Sequence, residues 1–157
     1  MEHVSLYRPG LEELSFRQEL LADPDTMAYN HAYGGTIRFP RERWADWYAR
    51  WVEDGTGERF YRCLRRESDG ALVGEAAYHY DGELGEYLCD VLVSARYRGL
   101  GFGRQGLELL CAAAGENGVK RLADNSAIDS PAAELFRRCG FRERLRNREY
   151  ILLVKEL

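Results

Sequence analysis

Between the strand-like run Glu86 to Val93 and a helical pattern that starts at Gly103 stands the segment Arg98-Gly99-Leu100-Gly101-Phe102-Gly103. Glycines at 99, 101 and 103 let a chain turn tightly and bring its backbone close to a ligand, with no Cβ in the way. Because a helix begins there, its unpaired N–H groups and the positive end of its dipole meet at one spot, which suits a diphosphate. Arg98 and Arg104 can add charge. Taken alone, such a turn also fits a structural bend or a dinucleotide-binding loop. A dinucleotide fold, however, places its glycines after the first strand, with an acid about twenty residues on. Here the turn follows the fourth strand-like run of a 157-residue chain.

The order of elements around it is legible. His3 to Tyr7 alternates like a short strand and ends at Arg8-Pro9-Gly10. A helix carrying Leu11, Leu14, Leu20 and Leu21 stops at Asp23-Pro24, since the residue before proline avoids the helical region. Pro24 can open a further short helical turn. Asn30 to Phe39, with Gly34-Gly35, reads as a loop, and Pro40 as the first residue of another helix. On that helix Trp44, Trp47, Tyr48 and Trp51 share one face, which either packs on a sheet or helps to line a pocket. Phe60 to Arg66 and Leu72 to Tyr80 are strands joined at Ser68-Asp69-Gly70, and Asp81-Gly82 turns the chain into the fourth. After a helix from Gly103 to Ala114 come a strand from Arg121 to Asn125, a helix from Ser130-Pro131 to Arg138 capped by Gly140, and a closing hairpin, Phe141 to Arg146 with Tyr150 to Leu157.

The chain length fits one domain over residues 1–157, and 45% hydrophobic beside 31% charged residues is ordinary for a globular chain. A net charge of -4, with Lys120 and Lys155 as the lysines, argues against a general nucleic-acid binder, which needs a concentrated positive surface. Cys63, Cys89, Cys111 and Cys139 have no zinc-ligand spacing, so four buried thiols and no metal are expected. With no apolar run long enough to cross a bilayer and no apolar signal core at the start, the expectation is a cytoplasmic protein without a membrane partner.

The glycine turn and its flanks resemble the GNAT acetyltransferase superfamily, whose acetyl-CoA signature Q/R-x-x-G-x-G/A follows a strand ending in a valine-like residue. Arg98, Gly101 and Gly103 match it, and Leu92-Val93-Ser94-Ala95-Arg96-Tyr97-Arg98-Gly99 looks like the strand exit. Ala132-Ala133-Glu134-Leu135-Phe136-Arg137-Arg138-Cys139-Gly140-Phe141 looks like the second motif. The resemblance covers roughly Leu72 onward. It implies an α/β (α+β) GNAT fold: a mixed, mostly antiparallel sheet of six to seven strands with helices on both faces and a V-shaped splay between strands four and five.

It also implies acetyl-CoA as co-substrate, contacted by Leu92 and Val93, by Arg98, Gly99, Leu100, Gly101, Phe102, Gly103 and Arg104, and by Ser130 and Phe136. A backbone N–H at the end of the fourth strand would polarise the thioester carbonyl. The acceptor would be a primary amine, of a small molecule or a peptide, attacking the thioester directly; a monomer and a homodimer both stay open. An amine of pKa near 10 costs about 4 kcal/mol to deprotonate at pH 7, so a base is expected. Asp90 and Glu86 share a face of the fourth strand at period two, with Asp90 the first choice, an arginine ion pair the competing role, and Asp124 in reserve. His79, among Tyr78, Tyr80 and Tyr87, either lines the acceptor site or packs. Two positions depart from the family pattern: Phe136 stands where a tyrosine acid is common, and Asp129 replaces an asparagine. A non-catalytic acyl-CoA-binding module is therefore the alternative.

Overall fold

The computed structural model describes residues 2–128 and 130–157. Seven strands, β1 (Val4–Tyr7), β2 (Arg59–Arg66), β3 (Leu72–Asp81), β4 (Glu86–Val93), β5 (Arg121–Ala127), β6 (Arg142–Arg146) and β7 (Tyr150–Glu156), form one sheet in the order β1-β2-β3-β4-β5-β7-β6. Neighbours are antiparallel except β4 and β5, which run parallel. A parallel pair needs a crossover. Here α3 (Phe102–Glu116) provides it.

Side chains alternate across the strands, so the sheet has two apolar faces and a core on each. On one face, Leu107, Leu110 and Cys111 of α3, with Ala133 and Phe136 of α4 (Ala132–Arg138), pack with Leu64, Val73, Tyr78 and Leu153. On the other, Leu14, Leu20 and Leu21 of α1 (Leu14–Ala22) and Trp44 and Trp47 of α2 (Trp44–Trp51) pack with Tyr61, Cys63 and Leu92. All four cysteines are free and buried. Among the described residues, no helix is long and apolar enough to cross a membrane.

Several boundaries differ from the sequence reading, each for a local reason. Residues 30–33 are not loop but the end of a 3-10 helix, Thr26–Tyr33, stopped by Gly34 in the left-handed region at φ 101°. Pro40 precedes its helix with an extended ψ of 155°; a 3-10 turn, Arg41–Arg43, comes before α2. Pro131 likewise stands just before α4. β5 runs on to Ala127 because β7 pairs with it along its length, from Arg121↔Glu156 to Ala127↔Tyr150.

The splay positions the site. β4 pairs with β3 over all eight of its residues. With β5 it pairs only at Tyr87↔Leu122 and Leu88↔Ala123, after which the two strands separate. From Cys89 to Val93 the β5-facing edge of β4 therefore borders a gap.

Candidate active site

α3 starts at Phe102 behind Gly101, whose φ of 86° an L side chain rarely adopts; Gly99 has φ 79°. Gly101 carries no side-chain cap, and the first amide to bond back into the helix is that of Gln105, to the Gly101 carbonyl at 3.2 Å. Main-chain N–H groups from Gly99 through Arg104 thus meet no protein acceptor among the described residues. They converge where the helix dipole is positive, which is the arrangement that binds diphosphate. Phe102 anchors the turn with a side chain 1% exposed, while Leu100 stands out in solvent. Gly103 is helical and serves packing: a Cβ there would lie 3.6 Å from Leu135 and 3.8 Å from Val93.

Arg98 does not offer its charge to the turn. Its guanidinium donates to the carbonyl oxygens of Thr26 (2.7 Å), Asp25 (3.3 Å) and Val93 (3.3 Å). The buried Thr26 also accepts from the Ala95 amide through its hydroxyl, at 3.0 Å. Arg98 therefore fastens the glycine loop to the segment after α1. Arg104 is exposed and pairs with Glu108 at 3.0 Å, a surface contact weak enough to yield to a phosphate.

Along the gap, the antiparallel ladder decides which amides are available. Ser94 donates to the Val73 carbonyl, so with the register Gly74↔Val93 the groups of Leu92 and Asp90 also point at β3. Those of Val91 and Val93 face the gap instead. The Leu92 amide thus bonds β3 and does not face the gap, and the Leu92 side chain is buried against α1 and α2.

On the α1 and α2 face, a cavity of 160 Å³ opens beside Asp90. Its walls are Trp47 and Trp51 of α2, Tyr61 of β2 and His79 of β3. Arg17 and Glu75 close it with a buried ion pair, the Arg17 Nη1 donating to both carboxylate oxygens at 2.6 and 2.8 Å. Asp90 is exposed to solvent, and the protein packed around it still displaces part of its hydration; that desolvation, with the Glu75 charge next, pushes its carboxyl up to about 6, against the pull of Arg17. Burial lowers His79, and Trp51 meets its ring edge-on at 5.7 Å. Tyr29 is largely exposed as a ring, but its phenol is raised to about 12, first by burial and then by Asp90 and Glu75.

Glu86 is not brought to Asp90. It is 4% exposed and held by two guanidiniums, Arg121 at 2.6 Å and Arg144 at 2.7 Å, at the opposite end of β4. Asp124 flanks the gap on β5, one residue past the last β4 pairing, and accepts a hydrogen bond from the Ser126 hydroxyl. Burial raises its carboxyl to about 6.

The family model described as Acetyltransferase (GNAT) family matches residues 18–141, most of the chain. The chain belongs to the GNAT acetyltransferase family. Solved structures agree in fold. The GNAT domain of S. lividans PAT has a TM-score of 0.75 at 16% identity, covering 99% of this chain and 90% of that one. A GNAT-family acetyltransferase from Bacillus anthracis has 0.71 at 15%, covering 100% and 98%. The spermidine N-acetyltransferase from Vibrio cholerae, in complex with CoA and spermine, has 0.73 at 14%, covering 98% and 95%. No curated protein matches the chain in sequence.

Within this GNAT chain the second motif packs into the core. Phe136, expected at the cofactor, is 5% exposed and packs edge-on against Phe141 at 5.1 Å, so its ring belongs to the core. The Ser130 hydroxyl accepts from the Ala132 amide at 3.2 Å and opens α4. Asp129 lies outside the described residues. Sequence reading missed Arg17, Glu75, Tyr61 and Tyr29. A signal existed for two of them: Arg17 falls on the Leu14, Leu21 stripe of its helix, and Glu75 interrupts the inward-facing series of β3.

Proposed function

We propose that this chain transfers the acetyl group of acetyl-CoA to a primary amine by direct attack of the amine on the thioester. The observation that carries the reading is the position of Asp90, an exposed carboxylate lining an aromatic cavity, on the strand whose free edge borders the gap. Acetyl-CoA supplies the activated acyl group. The unpaired amides from Gly99 to Arg104 suit its diphosphate, and those of Val91 and Val93 suit the arm and thioester carbonyl. A donor aimed at such a carbonyl typically contributes a factor of about 10² to 10³ in rate.

Asp90 takes the proton of the incoming ammonium. With a carboxyl near 6 it is ionised at neutral pH and still basic enough to accept a proton, the balance that makes a general base useful. As the N–C bond forms and the C–S bond breaks, the electron pair passes to sulfur. A thiol pKa of about 8.5 makes the thiolate an adequate leaving group. The nitrogen sheds its second proton as the amide forms, and the thiolate is protonated through solvent, since Phe136 has no hydroxyl for that part. The Vibrio cholerae neighbour, whose structure holds CoA together with spermine, supports an amine as acceptor.

The test is release of CoA thiol from acetyl-CoA in the presence of a panel of primary amines, for the chain and for Asp90→Asn. Amine-dependent release that falls at least about 100-fold in the variant is expected. Binding of acetyl-CoA without turnover of any amine would favour a non-catalytic acyl-CoA-binding module.

A further inference from the structure

We infer that the cavity beside Asp90 selects a small monocationic amine with one compact, flat apolar body, and discriminates against polyamines, amino acids and peptide N-termini. This rests on the acetyltransfer reading and adds the substrate class to it.

Size comes first. A cavity of 160 Å³ compares with the roughly 150 Å³ that accommodates one benzene molecule in a protein interior. Ala77 stands directly opposite Asp90 in the β3–β4 register, and its small side chain leaves the floor open. Towards the Leu92 end of β4 the cavity is lined by the Arg17–Glu75 pair, whose guanidinium lies 4.5 Å from the Trp47 ring. A body much larger than one ring exceeds the cavity's volume.

Shape follows from the walls. Trp47 and Trp51 lie nearly parallel, 5.6 Å apart at 17°, and Tyr61 meets Trp47 edge-on at 4.8 Å and 82°. Trp47 is already covered by Trp51 and by the Arg17 guanidinium, so the ring left to a guest is that of Trp51, a rigid flat surface that favours a flat body.

Charge completes the selection. Arg17 and Glu75 cancel, and Asp90 remains as the uncompensated charge, with His79 held towards its neutral form by burial. One ammonium is matched there. A carboxylate next to the amine would face Asp90 and Glu75, and a second ammonium would find no second free anion in the cavity.

Two measurements on the intact chain decide it. Benzylamine, titrated without acetyl-CoA, is expected to change tryptophan fluorescence saturably, since two of the three tryptophans line the cavity. With acetyl-CoA, kcat/KM for benzylamine should exceed that for spermidine, L-phenylalanine and an unblocked peptide by about 100-fold or more. Trp51→Ala should weaken benzylamine at least about tenfold, and Ala77→Val, which fills the floor and keeps α2 intact, should do the same. Both variants should hold CoA as the parent does, by calorimetry. Spermidine, the amino acid or the peptide used as well as benzylamine, or benzylamine binding untouched by Ala77→Val, would overturn the inference. A chain that binds no CoA would instead remove the reading beneath it.

Discussion

As the proposed base, Asp90 combines its role with a cost in stability. Its carboxyl is raised, so the folded chain holds that proton more tightly than the unfolded chain does. The stabilisation is present below about pH 4, the unfolded value, and is lost as pH rises through about 6. Asp90→Asn should therefore melt at a higher temperature than the parent at pH 8, the difference shrinking towards pH 4, while kcat/KM falls about 10² to 10⁴-fold. In the parent, the acid limb of the kcat/KM profile should bend near pH 6. Glu86 holds structure instead, through its two ion pairs. Its two arginines depend on it, so Glu86→Gln should lose about 1–2 kcal/mol in denaturant unfolding, given that both guanidiniums keep part of their hydration, with kcat little changed. The sequence placed both acids on one face of a strand, and that is true. Period two says nothing about distance along the face, however, and four residues of strand span about 13 Å. Arg17 and Glu75 were harder to see, because a pair 58 residues apart exists only once α1 lies on β3.

At the scale of elements, close backbone approach determines where the gap opens. Gly74 lies against β4, where an added Cβ would meet the Leu92 carbonyl and stand 3.0 Å from the Val93 Cα. Neither neighbour is a flexible tip, so Gly74→Ala must push β4 away from β3, and a loss of about 2–3 kcal/mol in unfolding is expected. At the start of α3 the constraint is conformational. Gly101→Ala forces an L residue to φ 86° and should lose about 1–2 kcal/mol, with weaker acetyl-CoA binding as the amides lose their alignment. These elements were legible because turns and helix starts are written locally: Asp69-Gly70, Gly99 to Gly103 and Gly140 each sit where the chain turns. The direction of the Leu92 amide was not. Which amide faces the gap depends on the phase of the β3–β4 ladder, and a single strand does not encode that phase.

For the molecule as a whole, the sheet separates two tasks between its two cores. The α3 and α4 side holds the helix start that suits a diphosphate, and the α1 and α2 side holds the aromatic cavity; Asp90 and the gap lie where they meet. Strand order and the parallel β4–β5 pair follow from the succession of strand, glycine turn, helix and strand, which explains why the second half of the chain was readable as a fold. The cavity was not readable as a volume, although its tryptophan face was visible as a spacing. A ligand bound at one hundred times its Kd adds about 2.7 kcal/mol, which for a chain this size is about 5–10 °C in melting temperature. Acetyl-CoA should raise Tm by that much, and free CoA by a similar amount, since the diphosphate is common to both.

Calorimetric titration of acetyl-CoA into the intact chain tests the diphosphate cradle most directly. Saturable heat with one site per chain, accompanied by the rise in Tm, is the predicted result. A flat titration with an unchanged melting curve would contradict it.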